Sequence, residues 1–244
     1  MSVFTVFADL VEHLADLLHP LFGATAAAAA IVLFTALVRL LVHPLSRAAA
    51  RGQRARTALQ PRIAELRARH KDDPKRLQEA VLELHAEEKV SPVSGCLPGL
   101  LQLPAFFLLY HLFSSASIGG EGNGLLDHRL FAAPLGGRFA DVLSGGGGGG
   151  GVFGGAGLVY LGLFVLVAVV AAFNYRRTKR MMAASGPVLV QEGESVPGLG
   201  AVSRAMPFMS FFTLFTVAVV PLAAALYVVT STTWSAVERA VLYR

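Results

Sequence analysis

The chain has 244 residues, 54% of them hydrophobic and only 15% charged, with a net charge of +5 and a mean hydropathy of +0.58. A soluble domain of this size carries about a quarter charged residues. Here the apolar residues collect in long runs almost free of charge, the pattern of membrane spans. One cysteine, Cys96, excludes an internal disulfide and any Cys-x-x-Cys redox or zinc pair.

In the first 23 residues, Phe4, Phe7, Leu10, Val11, Leu14, Leu17 and Leu18 recur at helical spacing. The spacing predicts an amphipathic helix lying on a membrane face, ended by Pro20 and Gly23. Asp9, Glu12 and Asp16 are present there without Lys or Arg, so no cleavable leader is expected. Residues 24–43 form the first expected span, ending at Pro44 and carrying one charge, Arg39.

Residues 44–95 turn polar. Between Arg47 and Lys89 there are 11 Lys/Arg and 7 Asp/Glu, and Leu59, Ile63, Leu66, then Leu77, Val81 and Leu84 recur at helical intervals. Asp73 is a good N-cap and Pro74 a good first helical residue, so two helices joined by a tight turn are expected, an antiparallel hairpin outside the membrane.

The second expected span covers 96–113 and contains Pro98 and Pro104, which membrane helices tolerate. Residues 114–157 read as loop, with an unbroken glycine run from Gly145 to Gly151. Within it 125–137 is more structured in character, with Phe131, Pro134 and Leu135 at the membrane surface.

The third expected span is 158–175, stopped by Arg176, Arg177, Lys179 and Arg180, and 176–204 is a loop. Residues 205–237 are 33 without a charge, too long for one span. Pro221 divides them into two short spans, 205–220 and 222–237, for which local bilayer thinning is expected. Residues 238–244 are a tail.

The basic segments at 44–95 and 176–204 belong in the cytoplasm, and the first helix and the glycine loop belong outside. Five spans satisfy this, with the N-terminus outside and the C-terminus inside. The expected fold class is therefore an all-α integral membrane protein with five transmembrane helices. A cytoplasmic antiparallel helical hairpin and an N-terminal amphipathic helix on the outer face complete it.

Arg39 is the most informative residue. A charge inside a span is unfavourable by several kcal/mol unless it meets water or a partner. It either marks a site or snorkels to the surface near Pro44, and both readings stand at this point. Thr35, Gln102, Thr213, Thr216, Tyr227, Thr230, Thr232 and Thr233 are available to line a hydrated pocket. Each alone is more often a helix–helix hydrogen bond. Together they permit a cationic groove that attracts acidic residues of a hydrophilic polypeptide segment.

No acid–base set, metal-ligand spacing or phosphate loop occurs, so an enzyme is not expected, nor any cofactor or metal. The basic hairpin either enforces topology on anionic lipid or offers a docking face to ribosomal RNA or a targeting protein. DNA is not an expected partner.

The segment Thr35-Ala-Leu-Val-Arg-Leu-Leu-Val-His-Pro-Leu resembles the first conserved span of YidC-type membrane protein insertases. Leu59-Gln-Pro-Arg-Ile-Ala-Glu-Leu followed by Lys71-Asp-Asp-Pro-Lys resembles their cytoplasmic hairpin. Val93-Ser-Gly-Cys-Leu-Pro-Gly-Leu-Leu-Gln-Leu-Pro-Ala-Phe-Phe resembles their next span, and Met206-Pro-Phe-Met with Pro221-Leu-Ala-Ala-Ala-Leu-Tyr resembles their closing hairpin. Val228 stands where the family usually has tryptophan.

The resemblance implies an inner-membrane insertase and chaperone with five core helices and a hydrophilic groove closed on the outside. It places Arg39, Thr35, Gln102 and Tyr227 at groove or substrate-contacting positions. It implies nascent membrane proteins as substrates, with the ribosome, the Sec translocon and membrane lipids as partners. A small-solute transporter or channel is the alternative, against which the sequence shows no internal repeat.

Overall fold

A computed structural model of the chain describes residues 3–88, 107–118, 120–145, 151–184 and 206–242. The helices are α1 (Val3–Phe22), α2 (Ala26–Arg69), α3 (Pro74–Glu87), α4 (107–114), α5 (Phe139–Leu143), α6 (Gly155–Ala184), α7 (Phe212–Val219) and α8 (Leu222–Leu242). The chain divides into two compact units, one of residues 1–39 with 107–238 and one of 40–106 with 239–244.

In the first unit α8 is the central helix. Leu222, Ala223, Ala224, Ala225, Leu226, Tyr227, Val228 and Val229 are all buried, so no face of its first two turns is left outside. Other helices of the unit bury residues of their own: Val11 and Ala15 in α1, Ala30, Ile31 and Phe34 in α2, and Leu109, Leu112 and Phe113 in α4. Phe7 meets Phe34 edge to face at 5.9 Å.

The segment between α4 and α6 is more ordered than its composition suggests. It holds two short antiparallel pairs, Ser117–Ile118 with Glu121–Gly122 and Arg129–Leu130 with Ala133–Pro134. Leu125, Ala133 and Leu135 are fully buried there, whereas Phe131 is 75% exposed, so Leu135 is a core residue and not a surface contact. The buried Asn123 donates its amide to the carbonyls of Leu112 and Ser115 at 2.8 and 3.0 Å, closing the C-terminal end of α4.

The same segment caps α8. Helix N-termini leave N–H groups without intrahelical partners. Leu222 N–H donates to the Gly137 carbonyl and Ala223 N–H to the Leu135 carbonyl, both at 2.9 Å. Gly137 also accepts the Tyr160 hydroxyl of α6 at 2.7 Å. Phe139 of α5 stacks near Tyr160 and Phe164, at 5.6 and 4.9 Å.

Pro221 does divide the long apolar run: α7 ends at Val219, Val220 is extended, and α8 starts at Leu222. Other prolines lie inside helices. Helix α1 runs through Pro20 to Phe22, and the break comes at Gly23, whose φ of +53° favours glycine. Helix α2 continues through Pro44 and Pro61 to Arg69. Each proline removes one N–H bond, a local loss that a 44-residue helix held elsewhere by packing absorbs.

In the second unit, α2 and α3 are joined as the turn chemistry predicts. Asp73 accepts the Arg76 N–H at 3.0 Å, and Pro74 is the first helical residue. Leu59, Ile63 and Leu84 form a small buried cluster flanked by Leu66 and Val81. Arg62 pairs with Glu88 at the rim, and Arg54 donates to the Leu242 carbonyl at the end of α8.

Among the described residues, two helical stretches are long and apolar enough to cross a membrane, one within Thr5–Arg69 and one at Gly155–Arg180. Phe208–Val219 is apolar but shorter, because Met206–Phe211 is 3-10 helix and only the following eight residues are α-helical. Helix α8 becomes hydroxyl-rich after Val229 and carries Glu238 and Arg239, which lowers its hydropathy. Residues 96–106 of the second expected span, with Cys96, and 146–150 of the glycine run lie outside the described residues.

A Cβ on Gly157 would strike the Val152 carbonyl, whereas one on Gly162 would meet nothing within 4 Å. Gly157→Ala is expected to destabilise the protein by about 1–3 kcal/mol through overpacking. Gly162→Ala is expected to be neutral or slightly stabilising, and melting midpoints in detergent compare the two. Leu84→Ala is expected to weaken α2–α3 packing by about 2 kcal/mol. Hydrogen exchange would then rise in α3 while α8 keeps its protection.

Candidate functional site

Arg39 and Thr35 lie one turn apart on α2, and Tyr227 and Ser231 one turn apart on α8. That spacing puts each pair on one helix face. The partly buried Arg39 turns inward to α8. Its Nε donates to Ser231 Oγ at 3.1 Å, and a second guanidinium nitrogen donates to the same oxygen. The Tyr227 side chain is hydrogen-bonded to Ser231 and lies within electrostatic reach of Arg39.

The three side chains therefore form one polar cluster inside a mostly apolar unit. Ser231 is 5% exposed and Tyr227 2%. The Tyr227 ring packs on Phe113 of α4 with centroids 6.0 Å apart. Glu238 follows Ser231 by two helical turns and so shares its side of α8. This places a carboxylate on a helix whose expected span stopped one residue earlier.

Thr35 sits fully buried and donates to the Ile31 carbonyl of its own helix at 2.7 Å. Its hydroxyl is satisfied within α2 and is enclosed. Thr216 and Thr232 bond back to their own helices in the same way, to Phe212 at 3.3 Å and Val228 at 2.8 Å. Thr233 Oγ1 is enclosed with no hydrogen-bond partner among the described residues. Gln102 lies outside the described residues.

The structure thus brings Arg39 and Tyr227 together and adds a residue that sequence reasoning passed over. Ser231 is the hydroxyl that links them. It is one of several hydroxyl residues in the second half of α8, and only its step of four from Tyr227 distinguishes it. The cluster holds a fixed positive charge against hydroxyl groups, an arrangement suited to attracting and orienting anionic or polar groups. Among the described residues no group of three or more His, Cys, Asp or Glu is placed to hold a metal ion.

Comparison with known proteins gives the family. The profile of the 60Kd inner membrane protein family matches residues 17–244. Curated relatives include the proteins named Membrane protein insertase YidC from Francisella tularensis subsp. novicida (strain U112) and subsp. tularensis (strain WY96-3418). Each is 39% identical over 109 residues, which is 45% of this chain and 19% of the relative. The chain thus aligns with about one fifth of the length of these curated relatives. With its profile matched across nearly the whole sequence, the chain belongs to the 60Kd inner membrane protein family.

Proposed function

We propose that the chain is a membrane protein insertase of the bacterial inner membrane, crossing the bilayer several times and carrying out no covalent reaction. The relatives' shared name and the family profile support this reading. The observation that carries it is the inward-turned Arg39, held by Ser231 beside Tyr227. A snorkelling arginine would instead extend toward the headgroups.

In this reading five helices cross the bilayer, with the N-terminus outside and the C-terminus in the cytoplasm. The α2–α3 pair stands in the cytoplasm as a hairpin. The 11 Lys/Arg between Arg47 and Lys89 support this placement. Substrates are nascent membrane proteins, received from the ribosome with or without the Sec translocon. Helping the inserted helices to fold is part of the same activity.

The mechanism is electrostatic. Arg39 faces a hydrated groove and attracts acidic residues in the outer segment of a substrate, lowering the barrier to carrying that segment part-way across. The substrate's apolar helix then moves into lipid, driven by about 25 cal/mol per Å2 of apolar surface withdrawn from water. Arg39 is only partly buried, so it meets the substrate first. Tyr227 and Thr35 are enclosed in this state and come into contact only when the helices part, with Gln102 as a further lining residue.

Arg39→Ala is expected to lower insertion of single-span substrates with acidic outer segments about tenfold or more, because one charge pair contributes on the order of 1–4 kcal/mol. Protease protection in proteoliposomes measures it, and wild-type yield would overturn the groove mechanism. Ser231→Ala removes the acceptor that orients the guanidinium, which is expected to lower stability by about 1 kcal/mol. It should reduce insertion less than Arg39→Ala does. Ser235→Ala, whose hydroxyl bonds only to the Ser231 carbonyl at 2.9 Å among the described contacts, is the control expected to be near neutral.

A further inference from the structure

Helix α6 is two-faced. Tyr160, Leu163, Val167 and Ala171 turn into the core of their unit. On the other side Leu158, Val165, Val169 and Phe173 are 57%, 64%, 62% and 42% exposed. With Gly162, around whose Cα lies open space, these residues follow one another at steps of three and four. They make one apolar stripe along the helix. The next two steps of the same stripe are Arg176 and Arg180, both exposed.

The charge at that end is uncompensated by neighbours in sequence. Residues 142–191 contain no Asp or Glu, while Arg176, Arg177, Lys179 and Arg180 fall within five positions. The basic residues of α2 and α3 are interspersed with carboxylates, and two of the pairs formed there are Arg62–Glu88 and Arg76–Asp73. At the same level as the cations, Tyr175 stacks against Phe208 and Phe211 at 5.3 and 6.0 Å. A tyrosine beside a cluster of cations is suited to headgroup depth in a bilayer.

We propose that the exposed α6 stripe and the Arg176–Arg180 pair bind one anionic phospholipid, its acyl chain along the stripe and its phosphate at the two guanidinium groups. From Leu158 to Phe173 the stripe extends about 22 Å, longer than the roughly 15 Å half-thickness of the hydrocarbon core. Guanidinium groups one helical turn apart present two planar forks to phosphate oxygens. Charge complementarity selects an anionic headgroup over a zwitterionic one. The apolar stripe selects a lipid over a nucleic acid, which would use the cations alone.

The test uses the full chain in nanodiscs of phosphatidylcholine with increasing phosphatidylglycerol, released and weighed by native mass spectrometry. Selective retention of phosphatidylglycerol is expected. Arg176→Gln with Arg180→Gln should lower it about fivefold per arginine, the equivalent of the roughly 1 kcal/mol that each basic side chain gains near an anionic bilayer. Arg176→Lys with Arg180→Lys keeps the charge that orients the helix and should retain an intermediate amount. Should the glutamine variant not fold, the lysine variant decides: retention below the unchanged chain supports the site, and equal retention overturns it. Retention of phosphatidylcholine equal to phosphatidylglycerol, or a glutamine variant that binds ribosomes poorly but lipid normally, overturns it as well.

Discussion

A guanidinium placed among apolar helices persists only where other groups receive its N–H bonds. In this chain the receiver is a serine hydroxyl on the central helix, and that contact fixes much else. Arg39 and Ser231 are separated by 192 residues, so the bond ties the first long helix to the last. It also draws Tyr227 into the same cluster. The apolar surroundings strengthen these bonds relative to their value in water, and equally raise the penalty for leaving any member unpaired. Polar specificity and structural cohesion are therefore the same set of contacts.

The central helix is held at its other end by a different device. Its first turn is completed by carbonyls of a segment that composition alone would leave as a connecting loop. Gly137 serves two donors, the Leu222 amide and the Tyr160 hydroxyl, and so joins α6 to α8. Asn123 does the same for α4 from inside that segment. Three helices are thus tied by backbone carbonyls and one amide side chain, with Leu125, Ala133 and Leu135 buried beneath.

Much of this was legible in the residues. Pro221 in an uncharged run and Asp73 before Pro74 each mark a break between helices, and Arg39, alone in an apolar run, bonds to Ser231. The family was legible too, because its motifs occur in order along the chain. Other features were hidden for physical reasons. Pro20, Pro44 and Pro61 sit inside helices because tertiary packing outweighs the loss of one hydrogen bond. Ser231 was masked by the hydroxyl residues around it. The buried positions of the 117–143 segment follow no period, since their partners lie on distant helices rather than on a repeating face. Gln102 lies outside the described residues, so its placement rests on the sequence resemblance.

The carbonyls of Leu135 and Gly137 that receive the first turn of α8 carry a consequence for biogenesis. They lie some 85 positions upstream of the amides they meet. Until α8 has been made, those acceptors await their donors. Closing contacts so distant along the chain is slow, because the entropy of loop closure must be overcome first. The first turn of α8 is accordingly capped only after the local contacts of the segment that supplies its acceptors have formed.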